Sequence, residues 1–367
     1  MTAWPMMPLG DVATLQRGYD LPIQDRRPGS VPIFAANGPV GVHEVSKEPG
    51  PGVVTGRSGS IGKVHFVDSP FWPLNTSLFV KDFHGNDCRW VYWLLTSMNL
   101  ARFHEGTGVP TLNRNVVHRA KVGVPPIEEQ RRIAALLDKA DELRAKRRTT
   151  LSALDVLIES AFRDWFPDCV LSPREPLEVA FIEKPIFGSM IPPSANGSWL
   201  ALRVGNIQNA RLNLSDRKYV DLSGKEKERH SVRDGDLLMA RAIASLDHLG
   251  KCIVAHPGTE QWAFDSHLMR IRLDQSILLP DFLKQWLSTP PGRAAFLGVA
   301  RRSSVQFNVN TKEIATLAVP IPPIADQSRF VRFLNRTECH RRKAECSLAR
   351  LTGLFTSLQH RAFRREL

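Results

Sequence analysis

Two stretches of the sequence combine arginine with small polar residues, and the second adds asparagine and glutamine, a composition suited to contacts with nucleic acid. The first is a glycine-rich basic segment from Thr55 to Lys63. Glycine lets backbone amides approach phosphate oxygens closely, and an arginine such as Arg57 can donate two hydrogen bonds to a guanine. The second runs from Arg301 to Asn310. Because asparagine and glutamine pair with adenine through two hydrogen bonds, both stretches predict contacts with DNA.

The predicted contacts are polar side chains on loops in both halves of the chain. A solvated surface group is the commoner role for any single residue of this kind, but the groups around Arg57 and Arg301 together favour DNA. Phosphate contacts should outnumber base contacts. The residues expected to contact DNA are Asn37, Arg57, Ser58, Ser60, Lys63, Thr111, Asn113, Arg114, Arg203, Asn206, Arg241, Lys251, Arg301, Arg302, Gln306, Asn308 and Asn310.

No motif of an intrinsic enzyme accompanies these residues. The segment from Gly56 to Lys63 imitates a phosphate-binding loop, but it has one residue too many between its glycines, and Val64 follows the lysine. The histidines lack metal-ligand spacing, and the sequence has no methyltransferase-like cofactor loop. We therefore expect no catalytic residue, no metal and no cofactor.

Composition points to a basic protein of more than one domain. A chain of 367 residues favours at least two domains, and its net charge of +12 favours attraction to polyanions. The sequence has no apolar run long enough to cross a membrane, and Met1 to Gly10 lack a basic region followed by an apolar stretch, so we expect no signal peptide. Its 5 cysteines are scattered without CxxC spacing, so reduced thiols in the cytoplasm are expected.

The elements that must position these residues occur twice. Residues 125–133 reappear as 322–330, and in both copies two prolines precede an acidic residue, a glutamine and an apolar residue. A long internal repeat predicts two similar halves. The second half is longer through several insertions, as is typical of variable loops on a shared scaffold. The pairs expected to be equivalent are Leu9 with Leu177, Arg57 with Arg241, Gly62 with Gly250, Lys63 with Lys251, and residues 75–79 with 265–269.

Each half is predicted to contain many short strands and one helix, over residues 90–98 and 281–288, and to end in a long helix after the prolines. A spacing that alternates three and four residues predicts a coiled-coil seam in each long helix, and their matching length suggests that the two helices pack on each other. The centre of this seam is polar, and it is either a register device or a docking surface for another subunit. The predicted seam is Ile133, Leu136, Ala140, Leu143, Arg147, Thr150, Leu154, Leu157 and Ala161 in the first helix, and Phe330, Phe333, Thr337, His340, Ala344, Ser347, Leu351, Leu354 and Leu358 in the second.

The repeated phrase resembles the specificity subunit of type I restriction–modification systems. The family's Pro-Pro-x-x-Glu-Gln-x-x-Ile is present as Pro125, Pro126, Glu129, Gln130 and Ile133. The second copy departs from the phrase only by related residues, and it includes Gln327. In that copy Asp326 replaces the glutamate and Phe330 replaces the isoleucine. The start at Trp4-Pro5 and the helix ends at 160–166 and 357–367 are similar to the family as well.

The resemblance implies an α+β fold with two mixed target-recognition domains, at residues 1–126 and 167–323. They are separated by two helices, at 127–166 and 324–367, that form an antiparallel coiled coil. It also implies a non-catalytic subunit that reads an asymmetric bipartite sequence in double-stranded DNA. Such a subunit carries methyltransferase subunits, two per chain, and in the full complex restriction subunits. The complex as a whole would be a DNA adenine methyltransferase and endonuclease.

Two other functions are compatible with the residues. A coiled-coil scaffold could bind proteins only, without sequence-specific DNA binding. A cryptic nuclease or methyltransferase would have to show cleavage or methyl transfer by the isolated chain. Salt-dependent, sequence-specific binding to duplex DNA separates a DNA-reading subunit from the scaffold, because phosphate contacts weaken steeply as salt rises.

Overall fold

The chain folds into two compact units, described here from a computed structural model. Unit 1 comprises Met1–Leu151 with Lys343–Leu367, and unit 2 comprises Ser152–Arg342. The structure describes residues 4–105, 111–167, 174–208, 210–243, 245–302 and 307–364, and of Glu105, Arg302 and Arg364 it describes the backbone only. The fold is α+β, with short strands, short helices and two long helices.

Unit 1 is built on a four-stranded antiparallel sheet. The strands of the whole unit are β1 (Met6–Pro8), β2 (Thr14–Arg17), β3 (Val31–Ala35), β4 (Gly38–His43), β5 (Gly52–Gly56), β6 (Val64–Val67), β7 (Trp72–Pro73), β8 (Ser77–Asp82), β9 (His104–Glu105), β10 (Thr111–Leu112) and β11 (Lys121–Gly123). The main sheet has the order β2-β8-β5-β6, and a three-stranded sheet has the order β4-β3-β7. Every residue of β5 is buried, as expected for a central strand covered on both faces.

Unit 2 repeats this arrangement. Its strands are β12 (Glu175–Pro176), β13 (Ile186–Phe187), β14 (Trp199–Leu202), β15 (Ile207–Gln208), β16 (Arg211–Leu212), β17 (Tyr219–Val220), β18 (Leu237–Ala240), β19 (Ala242–Ile243), β20 (Cys252–Val254), β21 (Trp262–Phe264), β22 (Leu268–Ile271), β23 (Arg301–Arg302), β24 (Phe307–Asn308) and β25 (Ala318–Val319). The sheets β13-β22-β18-β20 and β17-β14-β21 correspond to the two main sheets of unit 1. Among the described residues, the hairpin β15-β16 has no counterpart in unit 1, so it belongs to the insertions that the sequence predicts.

Each unit carries the helix predicted before its long helix. In unit 1 the predicted helix is α1 (Cys88–Ser97), and a short helix, α2 (Arg114–Arg119), follows it. Asp87 caps α1 by accepting a hydrogen bond from the backbone N of Trp90 at 2.8 Å. In unit 2 the short helices are α4 (Lys225–His230), α5 (Pro280–Ser288), α6 (Pro290–Val299) and α7 (Thr311–Ala315). The predicted helices at 90–98 and 281–288 are therefore confirmed as α1 and α5.

The two long helices are α3 (Ile127–Trp165) and α8 (Ile324–Arg364), of 39 and 41 residues. In unit 1, the guanidinium of Arg144 lies 4.2 Å from the centre of the Phe355 ring, and Arg147 hydrogen bonds to Ser347 at 3.1 Å. A later residue of α3 thus meets an earlier residue of α8, so the two segments pack antiparallel. In unit 2, Trp165 at the end of α3 packs against Phe330 near the start of α8 with ring centres 5.7 Å apart, and Asp155 pairs with Arg341, so these segments are antiparallel as well.

The core of each unit is completed by the end of the long helix that belongs to the other half. In unit 1, Trp90 of α1 packs against Phe363 of α8, with their ring centres 6.3 Å apart. In unit 2, Phe282 of α5 packs against Phe166, just after α3, with their ring centres 5.0 Å apart. Each globular half is therefore held by two helices, one following it directly and one arriving from elsewhere in the sequence.

Candidate nucleic-acid interface

Arg57 and Arg241 occupy equivalent positions in the two units, as the repeat predicts. The backbone N of Arg57 donates to Thr76 O at 3.0 Å, and that of Arg241 donates to His267 O at 3.0 Å. Each arginine follows the central strand of its sheet, β5 or β18. The side chains correspond as well, because Arg57 Nη1 donates to Asn75 O at 3.3 Å and Arg241 Nε donates to Ser266 O at 2.8 Å.

These contacts correct one predicted pairing by a single residue. We expected residues 75–79 to match residues 265–269, which pairs Asn75 with Asp265. The carbonyl oxygens that accept from the side chains of Arg57 and Arg241 belong instead to Asn75 and Ser266. The lysine pairing is confirmed. The backbone O of Lys63 accepts from Gly56 N at 3.3 Å, and that of Lys251 accepts from Ala240 N at 2.9 Å.

Predicted contacts of unit 1 meet around one cavity. The cavity has a volume of about 370 Å³ and is lined by Arg17, Arg57, Leu78, Thr111, Leu112, Asn113, Arg114 and Asn115. Four predicted contact residues therefore lie together, although they are far apart in the sequence. The sequence analysis missed Arg17, which ends β2 opposite Leu78 of β8. Only the strand register places it here, so no local motif could have identified it.

The other predicted contacts of unit 1 lie on two neighbouring connections, with Ser58, Ser60 and Lys63 between β5 and β6 and Asn37 between β3 and β4. Lys63 Nζ donates to Asn37 Oδ1 at 3.3 Å, which joins two predicted contacts at the surface. Ser58 and Ser60 are half-buried beside them. A Cβ on Gly56 would lie 2.0 Å from Ser60 O, so this glycine allows the loop to close on its own backbone. A structural role therefore accounts for Gly56 without a phosphate.

Asn113 and Asn310 are helix caps in equivalent places. Asn113 accepts a hydrogen bond from Asn115 N at 3.0 Å at the start of α2. Asn310 accepts from Glu313 N at 2.9 Å at the start of α7, and Glu313 accepts from Asn310 N at 2.8 Å. The paired contact with adenine needs both the oxygen and the nitrogen of the amide. Because each oxygen already caps a helix, the capping role replaces that prediction.

The predicted contact at Asn206 is wrong. Its side chain is 3% exposed and holds a turn. Its Nδ2 donates to Asn213 O at 3.0 Å and its Oδ1 accepts from Arg203 N at 3.0 Å. A buried amide that is satisfied within the domain cannot read a base. Arg203 itself pairs with Asp216 at 2.9 Å and lowers the pKa of that carboxyl below its usual value.

Some of the remaining predicted contacts of unit 2 already interact with other side chains of the same unit. Lys251 Nζ lies 3.0 Å from His248 Nδ1. Arg301 pairs with Glu313, and its side chain is 75% exposed. Asn308 is half-buried in β24, opposite Arg301. Gln306 and the side chain of Arg302 lie outside the described residues.

Gln130 and Gln327, the glutamines of the repeated phrase, are buried anchors. Gln130 Oε1 accepts from Asp87 N at 2.9 Å, and Nε2 donates to Asn86 Oδ1 at 2.7 Å and to Pro125 O at 3.0 Å. The prolines of the phrase thus present the carbonyl that the glutamine binds. The glutamine in turn ties the long helix to the start of α1.

The long helices pack through positions next to several of those predicted. Ile133 and Phe330 are fully buried, as expected, and Leu154 and Leu351 are half-buried. The seam prediction is wrong for Leu136, Leu143, Leu157 and Leu354, which are 41%, 40%, 45% and 54% exposed. Leu137 and Phe355 are buried in their place. Two adjacent positions of α3 carry leucine, and only the partner surface decides which one faces inward.

The polar centre of the seam contains a half-buried arginine, Arg144, and a buried one, Arg341. Arg144 stacks on Phe355 and pairs with Asp141 at 2.9 Å. Arg341 is 4% exposed and pairs with Asp155. Both therefore contribute to packing inside their own units. This observation favours the register device over a docking surface for these two positions.

The described residues give few other chemical signals. They contain no group of three or more histidine, cysteine or acidic side chains that could hold a metal ion. The described cysteines Cys88, Cys252, Cys339 and Cys346 are unpaired. Burial raises the pKa of Cys252 to about 12, which makes its thiol inert at neutral pH. No helix in the described ranges is both long enough and apolar enough to cross a membrane.

Known proteins match this chain in sequence and in fold. Residues 1–153 match the family model of the type I restriction modification DNA specificity domain. The EcoKI specificity subunit of Escherichia coli (strain K12) is 25% identical over 267 residues, which cover 67% of this chain and 57% of that subunit. The putative specificity subunit S.HindORF215P of Haemophilus influenzae is 22% identical over 348 residues, covering 90% of this chain and 86% of that protein. The match thus spans little more than half of the EcoKI subunit.

Solved structures resemble the fold over nearly the whole chain. The type I restriction–modification S subunit from M. genitalium has a TM-score of 0.66 at 14% identity, and the match covers 98% of this chain and 96% of that one. A chain from a structure of the assembly and conformational transition of the type I R-M system has a TM-score of 0.56 at 15% identity, with 100% and 99% covered. These likenesses support the fold, and the sequence matches support the family. The chain is therefore similar, in sequence and in fold, to specificity subunits of type I restriction–modification systems.

Proposed function

We propose that this chain is the DNA sequence-recognition subunit of a type I restriction–modification complex. The observation that carries the proposal is the duplicated arginine, Arg57 in one unit and Arg241 in the other, on the same backbone framework with different neighbours. Two DNA-reading units that share a fold but differ in the residues around the arginine suit a bipartite target whose two half-sites differ. The net charge of +12 supports attraction to the DNA backbone.

The chain itself acts as the reader, and catalysis belongs to its partners. Methyltransferase subunits, two per chain, and restriction subunits in the full complex are carried to the DNA in the cytoplasm. The two long helices set the gap between the half-sites. Helices suit this role because a paired helix is stiff, whereas a glycine-rich linker would leave the gap undefined.

The test is co-expression of the full chain with a candidate methyltransferase subunit, followed by genome-wide mapping of methylated adenines. The expected result is one asymmetric motif of two short specified segments with a constant unspecified gap. Methylation without any motif, or the same motif without this chain, would contradict the proposal.

A binding experiment separates this function from the protein-binding scaffold. The full chain, assembled with the methyltransferase subunit, is titrated with duplexes that contain or lack the motif. Specific binding that weakens steeply as salt rises supports recognition, because bound phosphates release counterions. Equal binding to all duplexes, or none, favours the scaffold.

A further inference from the structure

Arg17 of unit 1 and Phe187 of unit 2 occupy the same position of the repeated fold. Each ends the edge strand of its main sheet, β2 or β13, and each is followed by a glycine. The two glycines, Gly18 and Gly188, share an environment, because an added Cβ would lie 2.2 Å from a backbone carbonyl oxygen in both. Equivalent positions beside equivalent arginines therefore carry a cation in one unit and an aromatic ring in the other.

In unit 1 this position makes the cavity strongly cationic. Arg17, Arg57 and Arg114 all line it, and no acidic side chain is among its described lining residues. Three guanidinium groups around one small cavity repel each other unless an anion lies between them. A phosphate group suits such a site, since arginine binds phosphate through charge-assisted hydrogen bonds.

In unit 2 the residue at this position is Phe187, and it holds Arg241 in a fixed orientation. The guanidinium of Arg241 lies 3.9 Å from the centre of the Phe187 ring, stacked over it, and its Nε donates to Ser266 O. Among the described residues no other group accepts a hydrogen bond from the Arg241 side chain, so both terminal amino groups remain for a partner. Burial lowers the pKa of Arg241, and the nearby carboxylate of Asp265 acts in the opposite direction.

The residue that follows the capping asparagine also differs between the units. Arg114 follows Asn113 in unit 1, and Thr311 follows Asn310 in unit 2. Unit 2 therefore lacks two of the three cations that surround the cavity of unit 1. A single stacked arginine with both terminal amino groups available matches the two acceptors on the major-groove edge of guanine.

We infer that the duplicated arginines have diverged in function. Arg57, with Arg17 and Arg114, grips a DNA phosphate, whereas Arg241, held flat by Phe187, reads a guanine in the half-site of the second unit. This inference rests on the proposed function and assigns different roles to two residues that the sequence analysis treated alike.

The test uses the chemical difference between arginine and lysine. Lysine can replace arginine at a phosphate as a point charge, but its single ammonium nitrogen has no planar fork that could stack on Phe187 and present two parallel N–H groups to a guanine. Arg57→Ala, Arg57→Lys, Arg241→Ala and Arg241→Lys are made in the full chain and assembled with the methyltransferase subunit. Affinity is measured on the mapped motif and on duplexes with each specified base changed in turn, over a range of salt concentrations.

Arg57→Ala should weaken binding to every duplex by the same factor and lower the slope of log affinity against log salt by about 1. Arg57→Lys should restore most of that affinity. Arg241→Ala and Arg241→Lys should both reduce discrimination at one guanine of one half-site, by about 5- to 150-fold, and leave the other half-site unchanged. Phe187→Leu should lose part of the same discrimination and Phe187→Tyr should retain it, because Phe187 acts by positioning Arg241.

Two results overturn the inference while leaving the proposed function intact. One is a change of base preference in Arg57→Ala. The other is full discrimination in Arg241→Lys. A wild-type complex without any sequence preference overturns the proposed function and the inference with it, and that failure is recognisable because it appears before any substitution is made.

Discussion

Gln130 and Gln327 make corresponding hydrogen bonds in the two units, except that one amide hydrogen is donated to the Asn86 side chain in unit 1 and to the Ile277 backbone in unit 2. Gln327 Oε1 accepts from Leu279 N at 2.8 Å, and its Nε2 donates to Ile277 O at 3.0 Å and to Pro322 O at 2.8 Å. Asp87 and Leu279, the backbone donors in the two units, are the residues that precede α1 and α5. A fully buried amide with both donors and its acceptor satisfied explains why the phrase contains glutamine at this point.

Gln130→Glu tests this anchor through pH. A carboxylate can accept from Asp87 N but cannot donate to Pro125 O, so the buried ionised form should be destabilised by about 1–3 kcal/mol. Protonation restores a donor, which raises the folded-state pKa of the introduced acid above its unfolded value. Stability is then greatest below the unfolded pKa of about 4.3 and falls as pH rises through the raised folded pKa. Urea unfolding at several pH values measures this effect.

The control for Gln130→Glu is Arg131→Gln at the next, exposed position. It should change the free energy of unfolding by less than about 0.5 kcal/mol at every pH. Equal destabilisation of both variants, or a Gln130→Glu variant whose stability does not depend on pH, would contradict the anchoring role.

The register of the helix seam is tested by two adjacent leucines. Leu137 is fully buried and Leu136 is 41% exposed. Leu137→Ala should lower the free energy of unfolding by about 2–5 kcal/mol, because it leaves a cavity in the core of unit 1. Leu136→Ala should cost less than about 0.5 kcal/mol. Denaturant unfolding of both variants measures the difference, and the reverse order would restore the seam predicted from sequence.

Arg341 tests whether a buried charge in the seam stabilises the helices. It is 4% exposed, while the side chain of its partner Asp155 is 67% exposed and can be solvated alone. Arg341→Met keeps most of the side-chain volume and removes the desolvated charge, so stability should be unchanged or raised by about 1 kcal/mol or more. Arg341→Ala should be destabilising because it leaves a void. Thermal unfolding distinguishes the two, and a strong loss in Arg341→Met would show that the ion pair itself is required.

Glu142 gives a test of surface electrostatics. Hydrogen bonds from Lys146 and Lys139 lower the pKa of Glu142 to about 2. The interaction is present above the usual pKa of the carboxyl and is lost as pH falls towards 2. Lys146→Met should move the Glu142 pKa back towards its ordinary value, as should high salt. Titration of the side-chain carbonyl carbon by NMR measures the pKa in each case. An unchanged pKa in the variant would show that Lys146 is not the main partner.

The sequence predicted the repeated framework because its anchors are local. The prolines with Gln130 and the pairing of Arg57 with Arg241 are visible as residue patterns, and the structure confirms both. Asn206 and Asn310 were misread because a polar residue on a loop looks the same whether it faces solvent or closes a turn. Arg17 was missed because its neighbours are set by pairing of distant strands. Such facts depend on tertiary contacts, which a single sequence does not display.

The way each core borrows a helix end from the other half has a consequence for biosynthesis. Unit 2 is one continuous stretch, Ser152–Arg342, whereas unit 1 needs Lys343–Leu367 as well as Met1–Leu151. As the nascent polypeptide leaves the ribosome, unit 1 must therefore wait for a segment that is translated after all of unit 2, and unit 2 can fold before it. Premature termination of translation after about residue 342 would leave unit 2 intact. Unit 1 would then expose the hydrophobic surface that Phe355 and Ala362 cover.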